Sequence, residues 1–338
     1  MKKIIILWGM VCVLFLCACT VQPEYKASAA PSTNAIKEEA TAQPSEEKTP
    51  EPVPELVSEA DMLPFIDADG KFGYMDKEGN ILIQPVYDYA GRFSEGVAEI
   101  RMNDKSGYID KTGNIVIEAK YDAGLPKNDG IVTVYEIIEP KTETHTVYLD
   151  EEGKELLRVE CFFSGAYSQG MIRVKDTETS TMRFIDLTGK DVFDKEFTSV
   201  GDYFDGKASF YEGATGGYID KKGNVLFDGF TYAGDFSEGL APVRKDGMWG
   251  YINEKGEFVL KFPDLKEPDL LRPFENGKAF FIVNNLMGVI DKEGNVLVEP
   301  KFEGVTYIYD DLIGVYAPTG RIFHYETFDG EVIAPKNT

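Results

Sequence analysis

His145 and His324 are the only imidazoles in 338 residues, and neither stands in a spacing such as HExxH that would bind a metal. Both fall in degenerate copies of a repeat, far apart in the chain, and are expected at the surface. A second candidate chemistry is calcium binding by Asp76, Asp110, Asp150, Asp186, Asp220 and Asp291. A calcium loop needs several oxygen ligands at alternate positions converging on one ion. Here each Asp is followed by Lys or another non-ligand, and even Asp67-x-Asp69-Gly70 runs on into Lys71-Phe72. Side chains that satisfy turn amides explain the repetition better. Thr188-Gly189-Lys190 spells part of a phosphate loop but lacks the upstream glycine and falls on the same turn. Cys161 is the sole cysteine beyond residue 19, so it has no partner for an intradomain disulfide and reads as a small buried hydrophobe. The chemistry-bearing residues thus point away from an enzyme. No catalytic group, metal site or cofactor is expected.

The elements that carry these residues recur. Gly-Tyr-Ile-Asp-Lys-x-Gly-Asn followed by three apolar residues appears at Gly73, Gly107, Gly217, Gly250 and Gly288. Degenerate copies start at Val147, Arg183 and His324. Before most copies stands Phe-x-Glu-Gly-x-Ala-x-Val, as FSEGVAEI at Phe93, FSEGLAPV at Phe236 and FENGKAFFIV at Phe274. After them comes an aromatic, often Asp, then a small residue, as in PVYDYAGRF at Pro85. Gly-Tyr-Ile-Asp reads as a strand, Lys-x-Gly as a tight turn and Asn-Ile-Val-Ile as the returning strand. The Phe-x-Glu-Gly element adds a third strand, with a short fourth around Tyr87-Asp88. The consecutive apolar run Ile81-Leu82-Ile83 asks for cover on both faces, which stacking of units would give. The glycine before each Tyr is expected to admit the neighbouring unit. Most of the aromatics Tyr87, Tyr89, Phe93, Tyr232 and Phe236 follow the repeat and are expected in the core.

The fold class is therefore all-β: about eight antiparallel units of ~35 residues. A propeller-like ring is favoured over an open solenoid because neither end shows a polar cap. The pattern resembles the WG-repeat family, also called KWG repeats. Its naming dipeptide survives as Trp249-Gly250, while Phe72, Ser106, Gly216 and Met287 stand at the Trp position elsewhere. The resemblance implies a β-repeat protein common in bacteria, often exported, without an established catalytic role.

The N-terminus is an address. Lys2 and Lys3 precede an apolar run from Ile4 to Leu16, too short to span a bilayer comfortably. Leu16-Cys17-Ala18-Cys19 resembles the bacterial lipobox, which implies lipid attachment at Cys19 and cleavage after Ala18. Residues 1–18 are then a lipoprotein signal peptide. Residues 19–62 are the lipidated Cys19 and a Pro- and Glu-rich stalk without apolar periodicity, expected to be disordered. Residues 63–338 are the repeat domain. The formal charge of −23 disfavours nucleic acid and anionic membrane surfaces as partners. The functional expectation is a membrane-anchored, extracytoplasmic lipoprotein displaying a repeat domain for protein interaction, with glycan or cell-wall binding as the alternative. Residues 125–141 and 264–271 depart from the repeat and are the candidate contact regions.

Overall fold

The computed structural model describes residues 58–138, 143–160, 164–176, 179–262, 270–316 and 323–336. The signal peptide, Cys19 and all but the end of the stalk lie outside the described residues, as does Cys161. The described chain is an eight-bladed β-propeller. The blades occupy residues 63–87, 89–121, 123–160, 164–197, 199–230, 232–262, 271–302 and 305–333, and every strand pair is antiparallel. A full blade has four strands. In blade 2 they are Tyr89–Ala90, Val97–Met102, Lys105–Asp110 and Ile115–Tyr121, from the axis outward. The short strand foreseen near Tyr87-Asp88 is thus the first strand of the following blade.

The ring closes without strand exchange. Blade 8 supplies its own four strands, and blade 1 docks against it through side chains. Leu63, Phe65 and Met75 of blade 1 form one core with Tyr309, Leu312 and Tyr325 of blade 8. The Tyr325 hydroxyl donates to the Pro64 carbonyl at 2.9 Å. Seven further apolar clusters fill the spaces within and between neighbouring blades.

The repeated residues divide into two jobs. The Asp of each Asp-Lys-x-Gly turn folds its own hairpin: Asp76 Oδ1 accepts from the amides of Glu78 and Asn80 at 3.0 and 2.7 Å. The same pattern recurs at Asp110, Asp150, Asp186, Asp220, Asp291 and, in amide form, Asn253. Asp67 makes an equal turn with the amides of Asp69 and Lys71. This is local turn chemistry.

The other repeated residues join blades. The tyrosine of Gly-Tyr-Ile-Asp crosses to the next blade, where its hydroxyl donates to an inner backbone carbonyl. Tyr74 reaches Gly91, Tyr108 reaches Leu125, Tyr148 reaches Gly165, Tyr218 reaches Gly234 and Tyr251 reaches Arg272, all at 2.6–2.8 Å. Burial pushes the hydroxyls of Tyr74, Tyr108, Tyr218, Tyr251 and Tyr325 above the ordinary phenol value, so they stay protonated donors. Blades 4 and 7 carry Phe184 and Val289 at this position and lack the latch.

The acid of Phe-x-Glu-Gly makes a second latch. Glu95 accepts from the amides of Asp129 and Gly130 in the next blade at 2.9 and 2.8 Å, and Glu238 accepts from Gly277 at 3.0 Å. Gln169 and Asp205 do the same for Gly206 and Gly239, both at 2.8 Å. The turn lysine completes it: Lys292 lies 2.8 Å from Glu238, and Lys77 of blade 1 lies 2.7 Å from Asp310 of blade 8. One face of the propeller is therefore knitted turn to turn around the ring.

The glycine before the tyrosine admits a strand of its own blade rather than the neighbouring unit. A Cβ on Gly73 would sit 2.5 Å from the Ile83 carbonyl oxygen, and one on Gly288 would sit 2.6 Å from that of Val298. In blade 2 the register jumps from Ser106↔Tyr121 to Tyr108↔Ile117, so the outer strand bulges over Gly107. The outer strands also keep one open face. Leu82 and Val86 are exposed while Ile83 is buried, so the stacking that buries the inner strands does not reach the rim.

Candidate functional site

In an antiparallel meander successive turns alternate between the two ends of a blade. The knitted face holds the turns between first and second strands and between third and fourth. The opposite face holds the turns between second and third strands and the connectors between blades. In blades 2, 5, 6 and 7 its turns have two residues, for example Asn103-Asp104 and Asn284-Asn285. The strand ends that flank 67–71, 139–142, 161–163, 176–181, 263–270 and 317–322 lie on this second face, while 125–131, 186–198 and 201–207 fall on the knitted face. The six segments on the second face carry eight acidic residues (Asp67, Asp69, Glu139, Asp176, Glu178, Asp264, Glu267, Asp269) against four basic ones (Lys71, Lys141, Lys266, Arg321). The sequence-derived contact region 264–271 maps here, but 125–141 does so only in its later part, because 125–131 is the first-to-second-strand turn of blade 3 on the knitted face, where Asp129 and Gly130 take the Glu95 latch. The variable part of 125–141 ends in the 139–142 turn of blade 3, and 264–271 spans the connector between blades 6 and 7. Residues 139–141 and 264–269 themselves lie outside the described residues.

Connector aspartates organise this face where the chain is regular. Asp88 Oδ2 accepts from the amide of Asn103 at 2.8 Å, and Asp88 also pairs with Lys71. Asp122 repeats the arrangement one blade on, with the amide of Ile137 at 2.7 Å and Lys105 at 2.6 Å. The aromatic just after each connector is half-buried: Tyr89 stacks near Phe72 with Arg101 above it, and Tyr232 stacks on Trp249. Tyr87, Phe93 and Phe236 are buried in the core.

The axis of the ring carries ionisable groups that the repeat does not explain. Arg92 of blade 2 reaches across to pair with Glu275 of blade 7, and its guanidinium lies 5.0 Å from the ring centre of Tyr307 in blade 8. Arg173 grips Asp202 with two bonds, Nε to Oδ1 at 2.9 Å and Nη2 to Oδ2 at 3.3 Å. Glycines make room for this layer. A Cβ on Gly165 would collide with the Asp202 carboxylate, and one on Gly201 would lie 3.3 Å from Asp235 Oδ1. Burial, together with the neighbouring Asp202 carboxylate, pushes Asp235 up to about 6, and Arg173 only partly offsets this. Glu99 is buried in blade 2 and raised by that burial, against bonds from Ser106 at 2.7 Å and Arg101. A cavity of about 570 Å³ opens along this axis, lined by Arg92, Asp235, Arg272 and Glu275 with apolar walls that include Phe204 and Met287.

Asp235 yields a test of this electrostatic picture. Unfolded, it titrates near the ordinary carboxylate value; folded, near 6. Between those values the folded state holds a proton that the unfolded state has lost, so stability from this group falls as pH rises, then stays level above 6. Asp235→Asn is expected to be more stable than the parent by about 1–2 kcal/mol at pH 8, with no gain at pH 4. Chemical denaturation at both pH values checks it. An equal difference at the two would contradict a strained carboxylate.

Repeat reasoning missed this axial layer. Arg92, Asp202 and Asp235 occupy one repeat position, just before the aromatic of Phe-x-Glu-Gly, where Pro273 stands in blade 7. A position whose charge varies directly before an aromatic kept in all four blades (Phe93, Tyr203, Phe236, Phe274) was the available signal. The two histidines are not brought together: His145 lies in blade 3, and His324 in blade 8, 4.0 Å from Glu326. Among the described residues no group of three or more His, Cys, Asp and Glu side chains could hold a metal.

The family model described as a WG containing repeat matches residues 72–105, 107–134, 217–249, 249–286 and 287–316. The chain belongs to the WG-repeat family. The matched segments of this WG-repeat propeller centre on the Tyr latch and the Asp turn, the two features that fix blade spacing and hairpin shape. The naming tryptophan, Trp249, is buried beside Tyr232 and the guanidinium of Arg244. No curated protein matches the chain. Among solved structures it is similar to dihydro-heme d1 dehydrogenase NirN in complex with DHE, at 11% identity over 84% of this chain and 75% of that one, with a TM-score of 0.52. It is also similar to Hsv2 of Kluyveromyces lactis (7% identity, 72% and 96% coverage, TM-score 0.47) and to the β-propeller domain of the Trilobed protease from Pyrococcus furiosus (13%, 75% and 97%, 0.42). At these identities the likeness is one of fold.

Proposed function

We propose that this WG-repeat propeller is a binding module that takes a protein partner on its variable face, held at the extracytoplasmic side of a membrane by lipid on Cys19. One observation carries the reading: the strand ends flanking most of the segments that depart from the repeat lie on one face, while the opposite face carries the inter-blade latches. Propellers and repeat arrays present fixed cores with adaptable loops, and loops are where recognition concentrates. The excess of acids in the variable segments favours a partner with a basic surface. A glycan reading needs exposed rings, and the burial of Tyr87, Phe93 and Phe236 weakens it. We assign no catalytic step and no cofactor to the chain.

The test uses the full chain in its own membrane. Crosslinking from the parent is compared with a variant in which 264–269 and 139–141 are replaced by Gly-Ser of equal length. Loss of the same crosslinked protein, with thermal stability unchanged, is the expected result; equal recovery from both proteins sinks the proposal. For the tether, metabolic labelling with an alkyne fatty acid is expected to mark the parent and not Cys19→Ser. An unlabelled parent would remove the lipid anchor from the account.

A further inference from the structure

We propose that the axial cavity is a second binding site and that it takes a small organic acid: a carboxylate on an apolar stem, anchored by Arg272. The cavity's volume of about 570 Å³ falls within the range of small-molecule sites. Its lining runs from Arg272, Met287 and Val305, beside the connectors and second-to-third-strand turns, to Ser237, Glu275 and Lys278 at the first-to-second-strand turns, so the cavity extends along the axis.

Three cations line it, and two are engaged. Arg92 is paired with Glu275 and stacked on Tyr307. Lys278 donates to the Asn276 carbonyl and lies over the ring of Phe328. Arg272 is different. Its backbone is fixed at both ends, the amide donating to the Phe280 carbonyl at 2.9 Å and the carbonyl accepting from the Tyr251 hydroxyl at 2.8 Å. Its guanidinium has no hydrogen-bond or ion-pair partner among the described residues, and it is exposed to the cavity. In a chain with formal charge −23, an unpartnered guanidinium on an anchored backbone is a local inversion of the field.

The rest of the lining selects the anion. A guanidinium fork matches the planar geometry of a carboxylate or a phosphate. Asp235 and Glu275 stand in the same cavity, so a dianionic phosphate meets more repulsion than a monoanionic carboxylate. Phe204, Met287, Val305 and Ile308 offer apolar cover for a hydrocarbon stem, which a bare inorganic ion would leave unused. Glu275 holds Arg92 back from the ligand and leaves Arg272 as the anchor.

Ligand-observed NMR and calorimetry on the full chain at pH 7 test this with 4-phenylbutyrate, its primary amide and phenylpropyl phosphate. The acid is expected to bind at least tenfold more tightly than the amide and more tightly than the phosphate ester. Arg272→Gln is expected to weaken the acid at least tenfold while leaving the melting temperature within about 1 °C of the parent, because the exposed guanidinium makes no hydrogen bond or ion pair among the described residues. A cavity-filling Met287→Trp should also abolish binding, so the site can be tested twice. Equal affinity for acid and amide, preference for the phosphate, acid binding that survives Arg272→Gln, or no binding of the acid each overturns the proposal. Partner crosslinking at the variable face is a separate readout, so either inference can fail alone.

Discussion

Gly107→Ala is expected to destabilise the propeller by about 3–4 kcal/mol, among the larger effects of a single added methyl group. The new Cβ would lie 2.5 Å from the Ile117 carbonyl oxygen and 2.6 Å from the Ala119 nitrogen. Both are backbone atoms of the bulged outer strand, so no side chain can swing aside to relieve the overlap. Either the bulge must flatten, shifting Ile117 and Tyr121 out of the blade 2–3 core, or the strand must detach. Gly96→Ala in the same blade is the control. Gly96 has φ +90° and nothing within 4 Å of its Cβ position, so alanine there meets only backbone strain, costing about 1 kcal/mol. Thermal or urea denaturation of the two variants checks the ordering. If Gly107→Ala costs no more than Gly96→Ala, close approach is not why that glycine recurs.

Tyr325→Ala is expected to cost about 4 kcal/mol and to open the ring. Tyr325 is fully buried in the core shared by blades 1 and 8, against Leu63, Phe65 and Tyr309. Its hydroxyl bond to Pro64 joins residues 261 positions apart in the chain. Every other pair of neighbouring blades is also joined directly through the chain, so a lost side chain there leaves the blades tethered to each other. The blade 8–1 seam has no such connection and no exchanged strand. Beside the core and the Tyr325 bond it has the Lys77–Asp310 pair and the bond from the Lys336 amide to the Gly79 carbonyl at 2.8 Å. Tyr325→Phe, which removes only the donor, should cost about 1–2 kcal/mol. Hydrogen exchange in Leu63–Ile66 and Phe323–Thr327 should rise in Tyr325→Ala before exchange in blade 5 does. Tyr218→Ala, at the blade 5–6 junction, is expected to lose similar stability without that seam-first pattern. Uniform exchange in both variants would argue against a side-chain-held closure.

Much of the fold was legible because it repeats. The Asp of the hairpin turn was identified from its recurrence beside Gly, and the structure places it on the turn amides at every copy. The glycine before the tyrosine was recognised as a close approach, but its partner was misassigned. A sequence shows that a side chain is forbidden and does not show which backbone forbids it. The acid of Phe-x-Glu-Gly was read only as part of a strand. Its hydrogen bonds of 2.8–3.0 Å to amides of the next blade depend on the spacing between neighbouring turns, which exists only once the units are set side by side. The run Ile81-Leu82-Ile83 suggested burial on both faces, yet a blade's outer strand has no further layer to cover it.

The sequence by itself determined the unit: its length, its hairpin, its turn chemistry and the apolar strands that force units to shield one another, because these rest on interactions within some forty residues. The tertiary structure alone decided that eight such units close on themselves, that most departures from the repeat share one face, and that Arg92, Asp202, Asp235, Arg272 and Glu275 meet around one axis. Those outcomes depend on the rotation from blade to blade summed around the ring, and on long-range Coulomb and steric contacts between residues up to 261 positions apart. No local pattern encodes that sum, because each residue's nearest partner on the axis comes from a different turn of the circle.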